Sequence, residues 1–593
     1  MKTCKYSLLF ITVSAIFFLA VFAYFYFFSS YHLVYQEQTH LFLFNAGYLA
    51  SFLEKPGGLA LYAGSFLIQF CTDPIAAALI TTLQCVALFL ISVKILKKFN
   101  VSGVIWSFIP VLLLNALQSY HLYLPGTTIG LLLSLLYFLT YISVKSHKYR
   151  YLTGAAGIIV LYFTAGSFAY LAALLSIIHE LSFSDSPGRF FAVPAYILLS
   201  FLIPVVSSKM IFYTNPGETW LPVMPFDLKR PLMPFLYCLL IYFPVMLIST
   251  RLWKAVRNTS FNSSWNWKTI TAGLLVFALL TFLVIRFAYD KRTEILLRID
   301  HHVQKQEWDR ALEYSFLYPG SNQLVLFYGN LAMYKTGQMG DKMFHLPQTG
   351  ISGLLLEWKR NEVTPFFGGE VFYHLGYTSE AYRWAFEAMV AIGLNPRSLK
   401  RLVITSLIKD ETRIAQHYIN ILNETLFYRE WARHYQELLD DPDLLAKDKE
   451  ITEKRYFHMH TDILASLDGR DIGLLRMLQD HPDNRMAFEY YMASLLLTRD
   501  LDKFAENVYR LKDLGYTYIP VHYEEAMLAY LDHAKKNIVP AGYSISQETF
   551  IRLSGYVDIF NSSSNRNSAA RSLYPNYGGT YWFYMNFTNI ETP

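Results

Sequence analysis

The sequence is short of charge. Asp, Glu, Lys and Arg together make up 16% of the 593 residues, against roughly 25% in a soluble globular protein. It is also short of cysteine. Cys4, Cys71, Cys85 and Cys238 are the whole set, and no two are spaced as CxxC. From residue 239 onward there is none, which excludes a disulfide framework or a cysteine-based zinc site in that half. Other signatures are missing too: GxxxxGK[ST], GxGxxG after a strand, HExxH and GxSxG. The phosphate loops, dinucleotide folds, zinc hydrolases and serine elbows that these motifs build therefore have no anchor here.

What is present is apolar, and it is unevenly placed. Hydrophobic residues reach 53%. Residues 1–289 hold 18 Lys and Arg against 7 Asp and Glu, a net of +11, while 290–593 hold 33 against 39, a net of −6. The basic excess thus lies beside the apolar runs, where Lys and Arg orient membrane segments. It is no sign of nucleic-acid binding. Runs near the ~20 residues a bilayer requires fall at 6–28, 73–95, 101–120, 125–144, 151–165, 167–183, 190–208, 231–250 and 269–288. The first follows Lys2 and Lys5 but is longer than a signal-peptide core and lacks a small-residue cleavage site, so it reads as a retained span. The fifth and sixth share one run broken at Thr164-Ala165-Gly166-Ser167, a tight helical hairpin.

The segment 57–71, GGLALYAGSFLIQFC, decides the topology. If it does not cross, then Lys94, Lys97, Lys98, Lys145, Lys148, Arg150, Arg189, Arg251, Lys254, Arg257 and Lys268 share the side of Lys2 and Lys5. If it crosses, all eleven move outside, against the positive-inside rule. The expected arrangement is nine spans over 1–289, with a first external loop at 29–72 carrying two amphipathic or interfacial helices. Everything after 289 then lies outside the cytoplasm.

Residues 290–550 change to mixed polarity at helical spacing. QKQEWDRALEYS (304–315) sets Trp308, Ala311, Leu312 and Ser315 on one face. NLAMYKTGQMGDKMF (330–344), the stretch 371–404 and the stretch 487–516 each read helix, turn, helix. Paired helices bury their faces by stacking, and these units resemble tetratricopeptide repeats. The expected fold is all-α: a polytopic transmembrane bundle followed by an extracytoplasmic TPR-like α-solenoid. The last segment, 551–593, holds the polar NSSSNRNSAAR (561–571), read as a loop, and the aromatic YPNYGGTYWFYMNF (574–587). Its simplest role is an aromatic clasp on the domain, with sugar stacking or a membrane-surface contact as the alternative.

The candidate chemistry sits in the first external loop, YHLVYQEQTHLFLFNAGYLASFLEKPGG. Glu37 is one of only seven acids in the membrane half, and a partly desolvated carboxylate is a competent general base. His32, Gln36, Gln38 and His40 surround it, and Glu54 precedes the Pro-Gly-Gly turn. His458-Met459-His460 with Asp462 invites a metal reading, but helical positions two apart do not share a face. No metal and no cofactor are expected.

One long external loop after the first span, with an acid near its start, a Pro-containing turn, an apolar helix and a basic-ended span, resembles the GT-C class of multi-spanning glycosyltransferases. Glu37, Pro56, 57–71 and 73–98 carry that resemblance. It implies that Glu37 activates an acceptor hydroxyl and that a polyprenyl-phosphate sugar is the donor, held with the help of His32, Gln38, His40, Glu54, Lys229, Arg230 and Arg286. Lys209 is a further external cation. The class usually has Asp or an Asp-Glu pair where this chain has Glu37 between two glutamines. The whole chain also resembles a family of Bacteroidota membrane proteins with a helical-repeat C-terminal domain. That resemblance implies an inner-membrane location, with the N-terminus cytoplasmic and the second half periplasmic. The alternative to a transferase is a non-catalytic membrane scaffold whose repeats bind an envelope protein or glycan. A transporter ranks last, because the spans carry few buried charges and show no inverted repeat.

Overall fold

In a computed structural model the chain is described at residues 2–101, 104–212, 219–224, 233–257, 279, 281–361, 363–459 and 470–589. Among these residues every regular element is helical. They form two compact units: Met1–Glu294 with Glu424–Phe427, and Ile295–Asn423 with Tyr428–Pro593.

The first unit opens with α1 (Lys2–Phe27) and α2 (Tyr31–Thr39), which turn by 66° at the intervening serines. Ser30 interrupts the run by turning its hydroxyl back to the Tyr26 carbonyl. Two short helices follow, α3 (Ala46–Leu53) and α4 (Gly58–Ile68). The loop expected to hold two helices therefore holds three, because Asn45 caps α3 through a 2.6 Å bond from the Tyr48 amide. The 11 residues of α4 rise only ~16 Å, about half a hydrocarbon core.

Then come α5 (Pro74–Lys98), α6 (Val104–Gln118), α7 (Pro125–Tyr141), α8 (His147–Ala165), α9 (Phe168–Phe183), α10 (Arg189–Met210) and α11 (Met233–Arg257). Asp73 and Pro74 define the start of α5: the carboxylate accepts the Ile75 and Ala76 amides at 2.9 and 3.1 Å, and Pro74 occupies a position that needs no donor. The break between α8 and α9 falls at Gly166, whose φ of +63° suits a residue without Cβ. Among the described residues three helices are long and apolar enough to cross a membrane: α5, α10 and 233–253 within α11. The α1–α2 pair is a fourth if counted as one broken span. The apolar stretches in α4, α6, α7 and α9 are shorter. Most of the ninth expected span, 269–288, lies outside the described residues.

Aromatic side chains knit α1, α5 and α6. Phe17 meets Phe108 at 4.8 Å, Phe18 meets Phe89 at 5.4 Å and Phe89 meets Phe108 at 4.7 Å between ring centres. The outside of the unit is apolar too. Phe190, Phe191, Leu198 and Phe201 of α10 are all exposed. An apolar face of this extent needs a non-aqueous neighbour, and together with the span-length helices it marks the chain as membrane-associated.

In the second unit consecutive helices pack on one another: Val363–Leu375 on Thr378–Ile392, then Pro396–Ile408, Thr412–Asn423 and Arg429–Asp440. Trp384 is fully buried at their centre. Helix starts are capped by side chains, as at Asn322, Asn395, Asp448 and Asn484. Two details differ from expectation. The helix read from residue 304 starts at Trp308, because Gln306 sits at φ +57° and separates it from Lys291–Gln304. Most of 561–571 is helix rather than loop, because Asn565 accepts the Ser568 amide at 2.9 Å and starts Arg566–Tyr577. The aromatic tail does pack back: Tyr581, Trp582 and Tyr584 are buried, and the Trp582 indole N–H donates to the Glu525 carbonyl at 2.8 Å.

Candidate functional site

The polar face of α2 is built into the first unit. Gln36 Nε2 donates to the carbonyls of His121 and Tyr123 at 2.9 and 3.1 Å, which fixes α2 to the loop before α7. His32 is buried between two acceptors: its Nε2 is 2.8 Å from the Gln118 carbonyl, and its Nδ1 is 3.2 Å from Glu294 Oε2. A carbonyl accepts only, so Nε2 donates to Gln118 while Nδ1 faces the carboxylate. Glu294 Oε1 also accepts the Tyr31 amide at 2.5 Å. Glu37 is 1% exposed. Gln38 Nε2 donates to its Oε2 at 2.5 Å, and its electrostatic field reaches the Cys71 thiol. His40 closes α2, with Nδ1 at 2.9 Å from the Gln36 carbonyl.

The fold thus gathers His32, Glu37, Gln38 and His40 on one short helix and its cap. It leaves Glu54 exposed at the end of α3 and Arg286 exposed on the helical stretch 281–288. Lys209, in the last turn of α10, is also exposed. Lys229 and Arg230 lie outside the described residues, as do His460 and Asp462.

Two buried polar groupings were not legible as sites. At the α7–α9 ends Arg150 Nε donates to Glu180 Oε1 at 2.7 Å, and Tyr141 donates to the same oxygen at 2.8 Å. In the second unit Arg397 grips Asp300 with bonds of 2.8 and 3.0 Å, and Arg401 grips Glu370 at 2.9 and 3.0 Å. The Asp300 and Glu370 carboxylates are spoken for, and burial of matched pairs is a structural arrangement.

One polar cavity in the second unit is open. It has a volume of about 110 Å³ and is lined by residues from 337–341, 485–489 and 515–523. The helix Arg485–Thr498 presents Arg485 and Glu489 one turn apart. Arg485 Nε donates to Glu489 Oε1 at 3.1 Å, and the Tyr516 hydroxyl donates to the same oxygen at 2.5 Å. The guanidinium lies 4.4 Å from the Tyr516 ring centre. Across the cavity Tyr518 donates to Asp341 Oδ2 at 2.8 Å, and the Val521 amide donates to Oδ1 at 2.8 Å. Burial raises the Glu489 carboxyl above its ordinary value, against the opposing hydrogen bonds from Tyr516 and Arg485. Gly337 and Gly515 turn the chain at the rim with φ of +70° and +72°. In the sequence the only trace of this site is the alternation Tyr516-Thr517-Tyr518 after a glycine turn, 177 residues from the Asp341 that completes it.

A protein-family model described as a family of unknown function, DUF6057, matches residues 4–588. No curated protein and no solved structure matches the chain.

Proposed function

The chain belongs to the DUF6057 family, and we propose that it is a multi-pass inner-membrane protein whose second unit is an anchored binding module. Nine spans hold it, and a TPR-like array in the periplasm engages an envelope protein or glycan. The observation that carries this reading is the cavity around Arg485, Glu489, Tyr516 and Tyr518. The pairs Arg397 with Asp300 and Arg401 with Glu370 are largely closed to solvent. Here Arg485 keeps half of its side chain exposed at an open cavity. Consecutive helix packing through 363–440 supports the array.

A second reading is favoured by α2. A carboxylate at 1% exposure directly after the first apolar helix, followed by two short apolar helices, is the arrangement expected of a GT-C-like transferase. Glu37 would be its base and a polyprenyl-phosphate sugar its donor. A base must reach the acceptor proton, so this reading requires α2 to uncover Glu37 when substrate arrives. One experiment separates the two. In a strain lacking the chromosomal gene, Glu37→Gln should restore function fully, while the double variant Arg485→Gln/Tyr518→Ala should not, both at normal membrane levels. The reverse pattern selects the transferase and discards the binding module.

A further inference from the structure

Resting on the binding reading above, we propose that the cavity lined by Asp341, Arg485, Glu489, Tyr516 and Tyr518 is a subsite for one neutral saccharide ring. The lining carries charge of both signs. Two carboxylates, Asp341 and Glu489, face one guanidinium. An anionic ligand that reaches Arg485 meets both acids, and a cationic ligand that reaches the acids meets Arg485. A ligand carrying hydroxyls, each a donor and an acceptor, satisfies both kinds of wall.

The hydrogen-bond inventory fits. Arg485 uses Nε on Glu489 and also interacts with Tyr516, while half of its side chain stays exposed at the cavity. Glu489 receives both its protein donors on Oε1. The Thr517 side chain stands at the rim. Donors and an acceptor side by side match adjacent hydroxyls on a sugar ring. Tyr518 is 53% exposed while its hydroxyl is held by Asp341. It is therefore a ring fixed in place with an open face, as stacking on a sugar requires.

Size and rigidity agree. At 110 Å³ the cavity admits several waters, since each needs at least ~10–15 Å³ of such space. That is room for one ring and no more. The loop 516–521 is tied at both ends. Tyr543 donates to the Tyr516 carbonyl at 2.5 Å, and the Val521 amide donates to Asp341. The site is formed before a ligand arrives, which lowers the ordering cost of binding.

The test uses the full chain in detergent micelles and calorimetric titration with glucose, galactose, mannose and N-acetylglucosamine, with galacturonate and glucosamine as charged controls. At least one neutral sugar should bind, and both charged controls should bind more weakly. Tyr518→Ala and Arg485→Gln should each weaken binding about tenfold or more, while Tyr518→Phe, which keeps the ring, should stay close to wild type. Absence of binding by all four neutral sugars overturns the assignment, and so does binding that ignores both variants. A photo-crosslinking residue at Thr517 in living cells separates this failure from failure of the binding reading. A specific protein crosslink without sugar binding removes only the saccharide. Neither signal removes both.

Discussion

At His374 in the second unit burial, more than pairing, sets the direction in which the side chain titrates. Burial pushes the His374 imidazole down to about 4, although the Glu370 carboxylate is 3.3 Å away. Its effect on stability follows from that direction. Below the ordinary histidine value the unfolded chain takes up the proton first, so stability present above ~6.5 is lost as pH falls toward about 4. At ~1.4 kcal/mol per unit the full loss is about 3 kcal/mol. Thermal melts of His374→Gln should thus fall less than wild type between pH 6.5 and 4, and an equal fall would remove burial as the cause. Glu489 has the opposite sign. Its carboxyl is raised by burial, so its stabilising contribution is present below the ordinary glutamate value and lost as pH rises through the shifted one. Glu489→Gln, which keeps an acceptor for Tyr516 and Arg485, should gain on wild type from pH 4 to pH 8. A gain that shrinks with pH would contradict it. At this scale the sequence is a partial guide. Glu37 stands out because acids are rare before residue 290, and it is buried. Arg150 reads as one more interfacial cation, because its partner Glu180 is 30 residues away and only the turn at 166 brings the two helix ends together.

Helices in the first unit are positioned by backbone contact, and glycine permits it. A Cβ on Gly64 of α4 would stand 2.4 Å from the Gly126 nitrogen of α7. A Cβ on Gly57, just before α4, would stand 2.8 Å from the Gly166 nitrogen at the α8–α9 break, and Gly57 N–H donates to the Phe163 carbonyl at 3.1 Å. These are backbone neighbours that cannot rotate away. Gly64→Val should therefore abolish monodisperse elution in detergent, whereas Gly47→Ala, whose Cβ meets only a side-chain oxygen at 3.4 Å, should leave elution unchanged. Normal behaviour of Gly64→Val would mean that α4 is not held by this contact. Helix starts were readable wherever a cap and an apolar run adjoin, as at Asp73-Pro74. They were missed where the cap sits in a polar stretch, as at Asn565. The same distinction gives a milder prediction: Asn395→Ala, which removes the 2.8 Å bond from the Ser398 amide, should cost the second unit ~1 kcal/mol by chemical denaturation.

At the scale of the whole molecule the proposed topology rests on the charge pattern, and it can be measured. Eleven cations between Lys94 and Lys268 fall on the side of Lys2 only if α4 does not cross. Its 11 residues are too few to cross alone. In the proposed nine-span arrangement, five crossings separate the loop at 145–150 from everything beyond 289. No cysteine occurs after Cys238, so a probe placed there reports without background once Cys4, Cys71, Cys85 and Cys238 are replaced. Lys148 and Ser564 are both exposed. On cells with a permeabilised outer envelope, a membrane-impermeant maleimide should label Ser564→Cys at once and Lys148→Cys only after lysis. If α4 crosses, the pattern reverses, with Lys148→Cys labelled at once and Ser564→Cys only after lysis; if any one of the five spans between 151 and 288 is absent, both label only after lysis. Either outcome would also take away the periplasmic placement on which both functional readings depend, since a cytoplasmic second unit meets neither envelope glycan nor an externally presented lipid-linked sugar.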